Sequence, residues 1–474
     1  MRAARMLALV ALLSAGAPPA MAQTSARGVT LPPFERVTLS NGAQVLFVDK
    51  RDTPLVSLAI GVRGGALADA PGKEGTAALL AELLQKGAGS RDAATFAATV
   101  EGVGAQLKAG ASREALVLGA SFLSKDTDLV LGLLGDMLMR PQLDSAEFDK
   151  ARELAVQSIA AAKDSDPSAL IGDYGVAWLF GEHAYARPDG GDPASLEAIR
   201  LDDVKRYYTE QMGGDRLLIA VVGDIDKAVL QRKLETALGS WRKAAGTLPS
   251  VATPIPTHGR RVLLVDKPGA TQTYFWLGNV GASRTDPART AQSVVNTLLG
   301  GRFTSMLNTE LRIKSGLSYG ASSSFTRFAQ PGAFSIESYT ETGKTGAALD
   351  LALATLDRLH SDGVEAAALA SGKSYLLGQF PTTLETNGQL AARLTDLLLY
   401  NLGPDDVDGY ATRIAAVDAA AAKATIAAAF PQTANLAIVL IGDATQIRDV
   451  AAKYGPLTEM KLVDPSFRPG PKAR

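Results

Sequence analysis

Two short apolar runs recur in this chain at nearly the same spacing, and that recurrence limits the fold more than any other feature. Val45-Leu46-Phe47-Val48-Asp49-Lys50 returns as Val262-Leu263-Leu264-Val265-Asp266-Lys267, an offset of 217 residues. Leu218-Ile219-Ala220-Val221-Val222-Gly223-Asp224 returns as Leu436-Ala437-Ile438-Val439-Leu440-Ile441-Gly442-Asp443, and Gly223 to Gly442 is an offset of 219. A single β-branched run ending in Gly-Asp is common. One matched pair opening each half and another closing it implies two similar domains of about 220 residues. The length of 474 residues, too great for one ordinary core, agrees with that division.

Each half carries the same succession of signals. Arg36 to Val48 alternates like a strand pair about a Ser40-Asn41-Gly42 turn, and Leu55 to Val62 reads as a further strand. Thr76 to Gln85, Ala93 to Val103 and Thr127 to Met139 show helical apolar periodicity, with a strand expected at Leu116 to Phe122. Ser145 to Ala162 reads as a long helix, and Arg216 to Val222 as a buried closing strand. The second half gives strands at Arg261 to Asp266 and Thr273 to Gly278, then helices at Ala288 to Leu299 and Ser305 to Ile313. Strands at Tyr319 to Phe325 and Ala333 to Tyr339 follow. Without regular strand–helix alternation the expected class is α+β: two tandem homologous domains, each a mainly antiparallel sheet covered by helices. The expected divisions are a leader at 1–22, an N-terminal domain at 23–243, a Pro-containing linker at 244–260, a C-terminal domain at 261–464 and a loosely held tail at 465–474.

Composition removes several chemistries. A net charge of −1 supplies no field for nucleic acid or anionic lipid, so neither is expected as a partner. Cysteine is absent, which excludes disulfides, thiolate metal sites and cysteine nucleophiles. The three histidines, His183, His258 and His360, have no partner histidine at helical spacing and read as surface or capping residues. Arg2 and Arg5, the apolar stretch Met6 to Leu13 and the small-x-small site Ala20-Met21-Ala22 form an export leader cleaved before Gln23. No later apolar run is long enough to cross a membrane. The expected product is a soluble, exported, periplasmic protein.

Gly75 to Ala88 reads Gly-Thr-Ala-Ala-Leu-Leu-Ala-Glu-Leu-Leu-Gln-Lys-Gly-Ala. It resembles the helix that carries His-x-x-Glu-His in the pitrilysin-like (M16) metallopeptidases, also called insulinase-like. Phe180-Gly181-Glu182-His183-Ala184-Tyr185-Ala186-Arg187-Pro188 resembles another segment of that family, and the likeness extends over almost the whole mature chain. On this resemblance the first zinc ligand falls on Ala78, the general base on Ala81 and the second ligand on Glu82. The family's third ligand, a Glu far downstream, falls on Ser158, and a further Glu two helical turns earlier falls on Ala151. Only Glu82 keeps a donor, and catalytic zinc needs about three protein ligands. No metal or other cofactor is therefore expected on this chain.

The second half keeps what the non-catalytic subunits of the family retain. Leu299-Gly300-Gly301-Arg302-Phe303-Thr304-Ser305-Met306-Leu307 and Leu311-Arg312-Ile313-Lys314-Ser315-Gly316-Leu317-Ser318-Tyr319 resemble the family's Gly-rich turn and its Arg/Tyr pair. The resemblance implies that Arg312 and Tyr319 bind substrate backbone and support charge on a tetrahedral intermediate. On residue types alone the same segment also fits a helix end with a Schellman-type glycine and a packed tyrosine. The implied function is the non-catalytic, substrate-binding subunit of a heteromeric zinc peptidase acting on peptides or unfolded segments. Its partner is a homologous chain with an intact His-x-x-Glu-His motif that holds the zinc. The alternative is a proteolytically inert scaffold or peptide-binding protein of the same fold.

Overall fold

The computed structural model describes residues 28–470, so the leader expected at 1–22 lies outside the described residues. The first half builds a six-stranded sheet from β1 (Glu35–Thr38), β2 (Gln44–Asp49), β3 (Leu55–Arg63), β4 (Gln106–Ala111), β5 (Ala115–Leu123) and β6 (Leu217–Gly223). The second uses β7 (Arg261–Asp266), β8 (Gln272–Val280), β9 (Ala321–Phe325), β10 (Ala333–Glu341), β11 (Ala437–Gly442) and β12 (Leu457–Lys461). Five strands correspond in order: β4-β5-β3-β6-β2 in one sheet and β9-β10-β8-β11-β7 in the other. The β2–β6 pair and the β7 pairs with β11 and β12 run parallel, and the remaining pairs are antiparallel. The α+β expectation of two mainly antiparallel sheets holds.

The two recurring runs turn out to be neighbours. Asp49 stands opposite Gly223 and Asp266 opposite Gly442. Lys50 and Lys267 each donate a backbone N–H to the carbonyl of that glycine at 2.8 Å. Every residue of β6 and β11 is buried, which is why these strands read as unbroken apolar runs without alternation. The sixth strand differs between the halves. The β1 hairpin flanks β2, whereas β12, a strand the sequence did not announce, lies parallel to β7.

One face of each sheet is covered by helices of its own half, including α1 (Thr76–Leu83) and α2 (Ser145–Ser165) in the first. The other face is covered by a helix from the opposite half. From the first half, α3 (Ile171–Phe180) packs on β8 and β11, its Tyr174 and Ala177 meeting Trp276, Val439 and Ile441. Reciprocally, α4 (Asn387–Leu399) packs on β3 and β6, with Leu390, Leu394, Leu397 and Leu398 against Leu46, Leu218 and Val222. These two helices stand at the spacing of the duplication. α4 starts at Thr386, which forms a capping box with Gln389. Gly175 of α3 lies directly on Trp276, where an added Cβ would stand 2.4 Å from the ring.

Residues 244–260 carry neither helix nor strand but are held to both halves: Arg216 donates to the Gly246 carbonyl at 2.6 Å, and Thr257 N–H to Asn279 at 2.8 Å. The tail expected to be loose is instead anchored as far as 468. Phe467 is buried edge-on against Tyr174, the Ala194 N–H donates to Pro465 O at 3.1 Å, and Arg468 donates to Gly181 O at 3.2 Å. The buried Phe467 ring marks where the tail docks.

Candidate functional site

At the degenerate helix the chain is built as ordinary core. The Asp69 carboxylate accepts N–H bonds from Gly75 and Ala77, both at 2.8 Å, and so fixes the start of α1. Burial pushes Asp69 up to about 8, outweighing the two backbone donors that favour its anion. Sequence reasoning passed over Asp69 because it lies seven residues ahead of the helix. Ala78 is half-buried, and Ala81 is 1% exposed within the first-half core. Glu82, its side chain 45% exposed, pairs with Lys86 one turn away at 2.9 Å. On α2, Ala151 packs against the core and Ser158 is exposed.

These residues do not fit a zinc ion, since the alanines carry no donor atom and the Glu82 carboxylate is committed to a lysine. Among the described residues no group of three or more His, Asp or Glu side chains is placed to hold a metal. His183 caps a short turn, accepting from Tyr185 N–H at 3.0 Å, while its Nε2 lies 2.9 Å from Ala252 O. His360 lies between Pro431 O and the Gln432 amide, and His258 is exposed.

Arg312 and Tyr319 are brought together. Ser305 caps a short α-helical turn at Met306–Asn308, which widens to a π-helical turn over Thr309–Lys314 where an α-helix was expected throughout. Such turns occur often at functional sites. Gly316 at φ 63° then reverses the chain, and Ser318 N–H returns to Leu311 O at 2.9 Å. Tyr319 precedes β9 instead of beginning it. Arg312 Nη1 donates to Tyr319 O at 2.8 Å, and its guanidinium lies 4.9 Å above the Phe303 ring. The glycine reversal and the pairing are therefore one arrangement. Tyr319 is 73% exposed, Phe303 58%, and the Tyr319 hydroxyl makes no hydrogen bond among the described residues. Gly300 accepts from Ser323 N–H at 3.3 Å, tying the Gly-rich turn to β9. A cleft of about 520 Å³ beside the patch is lined by Tyr274, Gly301, Phe303, Gly320, Glu337 and Tyr339.

The arrangement offers a guanidinium, an exposed phenol and aromatic surface beside a cleft whose lining includes the Glu337 carboxylate.

Comparison with known proteins gives the family. The model of the Insulinase (Peptidase family M16) domain matches residues 44–187, and that of the Peptidase M16 inactive domain matches residues 198–376. An uncharacterized zinc protease of Streptomyces coelicolor is 27% identical over 390 residues, covering 81% of this chain and 84% of its own. The mitochondrial-processing peptidase subunit beta of Blastocladiella emersonii is 24% identical over 272 residues, 57% of this chain and 58% of its own. In fold, a peptidase M16 inactive domain from Pseudomonas fluorescens superposes with a TM-score of 0.81 at 24% identity, covering 87% of this chain and 98% of that one. A protease from Helicobacter pylori gives 0.80 at 21% identity, covering 87% and 100%. With both domain models matched in sequence over most of its length, the chain belongs to the M16 (insulinase) peptidase family.

Proposed function

We propose that this chain is the non-catalytic, substrate-binding subunit of a two-chain M16 zinc peptidase. One observation carries the reading: the positions where the family resemblance puts zinc ligands and base hold Ala78, Ala81, Glu82 and Ser158, while Arg312 and Tyr319 share a solvent-facing patch. A partner of the same family with an intact His-x-x-Glu-His motif supplies zinc and base. This chain supplies binding surface and two donors aimed at substrate backbone. The resemblance to a processing-peptidase beta subunit supports a heteromeric arrangement. The substrates are peptides or unfolded segments, and the compartment is the periplasm.

The test is reconstitution. The purified chain should contain no stoichiometric zinc and cleave no peptide, and a mixture with the partner should cleave. Peptidase activity of this chain alone would refute the assignment, as would a partner equally active without it. The inert-scaffold reading predicts the second of those results.

A further inference from the structure

A cavity of about 970 Å³ opens on the face of the N-terminal sheet opposite α1, beside α4. Its floor is made by Ser57, Ala59 and Gly61 of β3 with Val117, Gly119 and Ser121 of β5. The duplication supplies an internal comparison at matched register. Ser57 stands opposite Ser121 and Ala59 opposite Gly119. At the same places in the second sheet, Tyr274 stands opposite Tyr339 and Trp276 opposite Glu337. The correspondence is fixed by the neighbouring strand, where Val222 pairs with Ser57 and Ile441 with Tyr274.

One backbone therefore carries two opposite fillings. In the second half the Tyr274 and Tyr339 rings lie 5.7 Å apart and Trp276 is 1% exposed beneath α3. In the first half the side chains at these places are reduced to Ser, Ala, Gly and Ser, and the volume is left open. The Ser57 side chain adds a polar group to this floor: the residue is 5% exposed overall and lines the cavity.

We propose that this cavity binds aromatic side chains of a peptide, which occupy the volume that Tyr274, Trp276 and Tyr339 fill in the other half. The Ser57 hydroxyl at the floor meets a phenol or an indole N–H. A peptide is favoured over a free aromatic molecule by the rim, where Lys50, Asp52, Lys108 and Glu385 offer charges of both signs and Gln106 offers an amide. The proposal rests on the reading that this chain holds peptides, but the cavity lies across the sheet from α1 and does not use Arg312 or Tyr319.

The experiment uses the full chain without its partner. A seven-residue alanine peptide carrying Tyr and Trp at alternate positions is titrated by calorimetry against the same peptide with alanine at both. The aromatic peptide should bind about tenfold or more tightly than the alanine one. Gly119→Phe should weaken it by about tenfold or more, because the new ring takes the cavity. No atom lies within 4 Å of a Cβ at Gly119, and Val117→Phe, at a position 44% exposed, serves if the first variant is unstable. Equal affinities for the two peptides, or equal binding by the wild-type and filled chains, would overturn the proposal. No binding of the aromatic peptide by the wild-type chain, with an active two-chain mixture, would sink the cavity alone. Intact binding with an inactive mixture would sink the peptidase reading alone.

Discussion

Arg312 Nη1 donates to the backbone carbonyl of Tyr319 at 2.8 Å, so a guanidinium and a phenol seven residues apart are held in one exposed patch. One Arg312 amine is engaged within the chain, and the residue is otherwise exposed beside the Phe303 ring. In the reconstituted complex, Arg312→Ala should lower kcat by about 10²–10³, the range for loss of a transition-state donor. Arg312→Lys should recover little, since an ammonium does not reproduce the fork. Tyr319→Phe should lower kcat while leaving thermal stability within about 0.5 kcal/mol, because the ring is solvent-exposed. Stopped assays at saturating peptide, paired with melting curves, separate the two effects. Unchanged kcat in both single variants would remove these residues from the reaction.

The two alanines of α1 at positions 78 and 81 differ in burial. Ala81 is 1% exposed among core residues, so Ala81→Glu without an accompanying ion buries a carboxylate. It should destabilise the chain by at least about 2 kcal/mol in urea unfolding. Ala78→His, at a half-buried position, should cost far less. A neutral Ala81→Glu would mean that this stretch of α1 is more open than its packing indicates.

Two buried carboxylates shape the dependence of stability on pH in opposite directions. Asp69 is raised to about 8 by burial, so the folded chain holds its proton longer than the unfolded chain does. Its contribution is full below the ordinary aspartate range and is lost as pH rises through about 8. Asp69→Asn should flatten the decline in urea midpoint between pH 5 and pH 8.5. An unchanged slope would rule Asp69 out as its source.

Asp406 behaves in reverse. Burial would raise it, but Arg284 and Arg289, at 2.9 and 2.6 Å, hold it at about 2. The stability it supplies is present above the ordinary aspartate range and disappears as pH falls towards 2. Arg284 also pairs with Asp396 of α4 at 2.7 Å, so Arg284→Gln should raise the pH of acid unfolding and loosen α4 first. Hydrogen exchange along 387–399 at pH 4 and pH 7 would show it. Protection of α4 unchanged at both values would contradict the link.

What the sequence disclosed and what it withheld follow from range. Val45 to Lys50 and Leu218 to Asp224 announced themselves because both faces of those strands are buried and the signal is local. Gln106–Ala111 was overlooked as a strand, since Gly110 and alternating small residues give weak β character at an edge. The exchange of α3 and α4 was invisible, because an apolar helix states that it is buried and not against which sheet. Arg312 and Tyr319 were singled out through motif order, whereas the π-helical turn at Thr309–Lys314, with Leu311 buried in the second-half core, left no local sign. The open cavity could be seen only after pairing set Ser57 against Tyr274.

The reciprocal helices make the halves dependent on each other. Residues 28–243 alone would expose Leu46, Val48, Leu218 and Val222, which α4 normally covers, and would leave α3 without β8 and β11. Leu394→Ala should cost about 2–5 kcal/mol for a buried leucine, and Gly175→Ala about 1–3 kcal/mol for overpacking against Trp276. The more telling expectation concerns cooperativity. If each covering helix belongs to the other half's core, a lesion at Leu394 must lower the unfolding midpoint of Trp276, the reporter in the second half, together with that of Trp241 in the first. Trp241→Phe and Trp276→Phe variants in the Leu394→Ala background isolate the two signals, with Trp178 present in both. Coincident transitions would establish one cooperative unit, and a stable second-half signal beside a weakened first half would show that the exchange does not couple them.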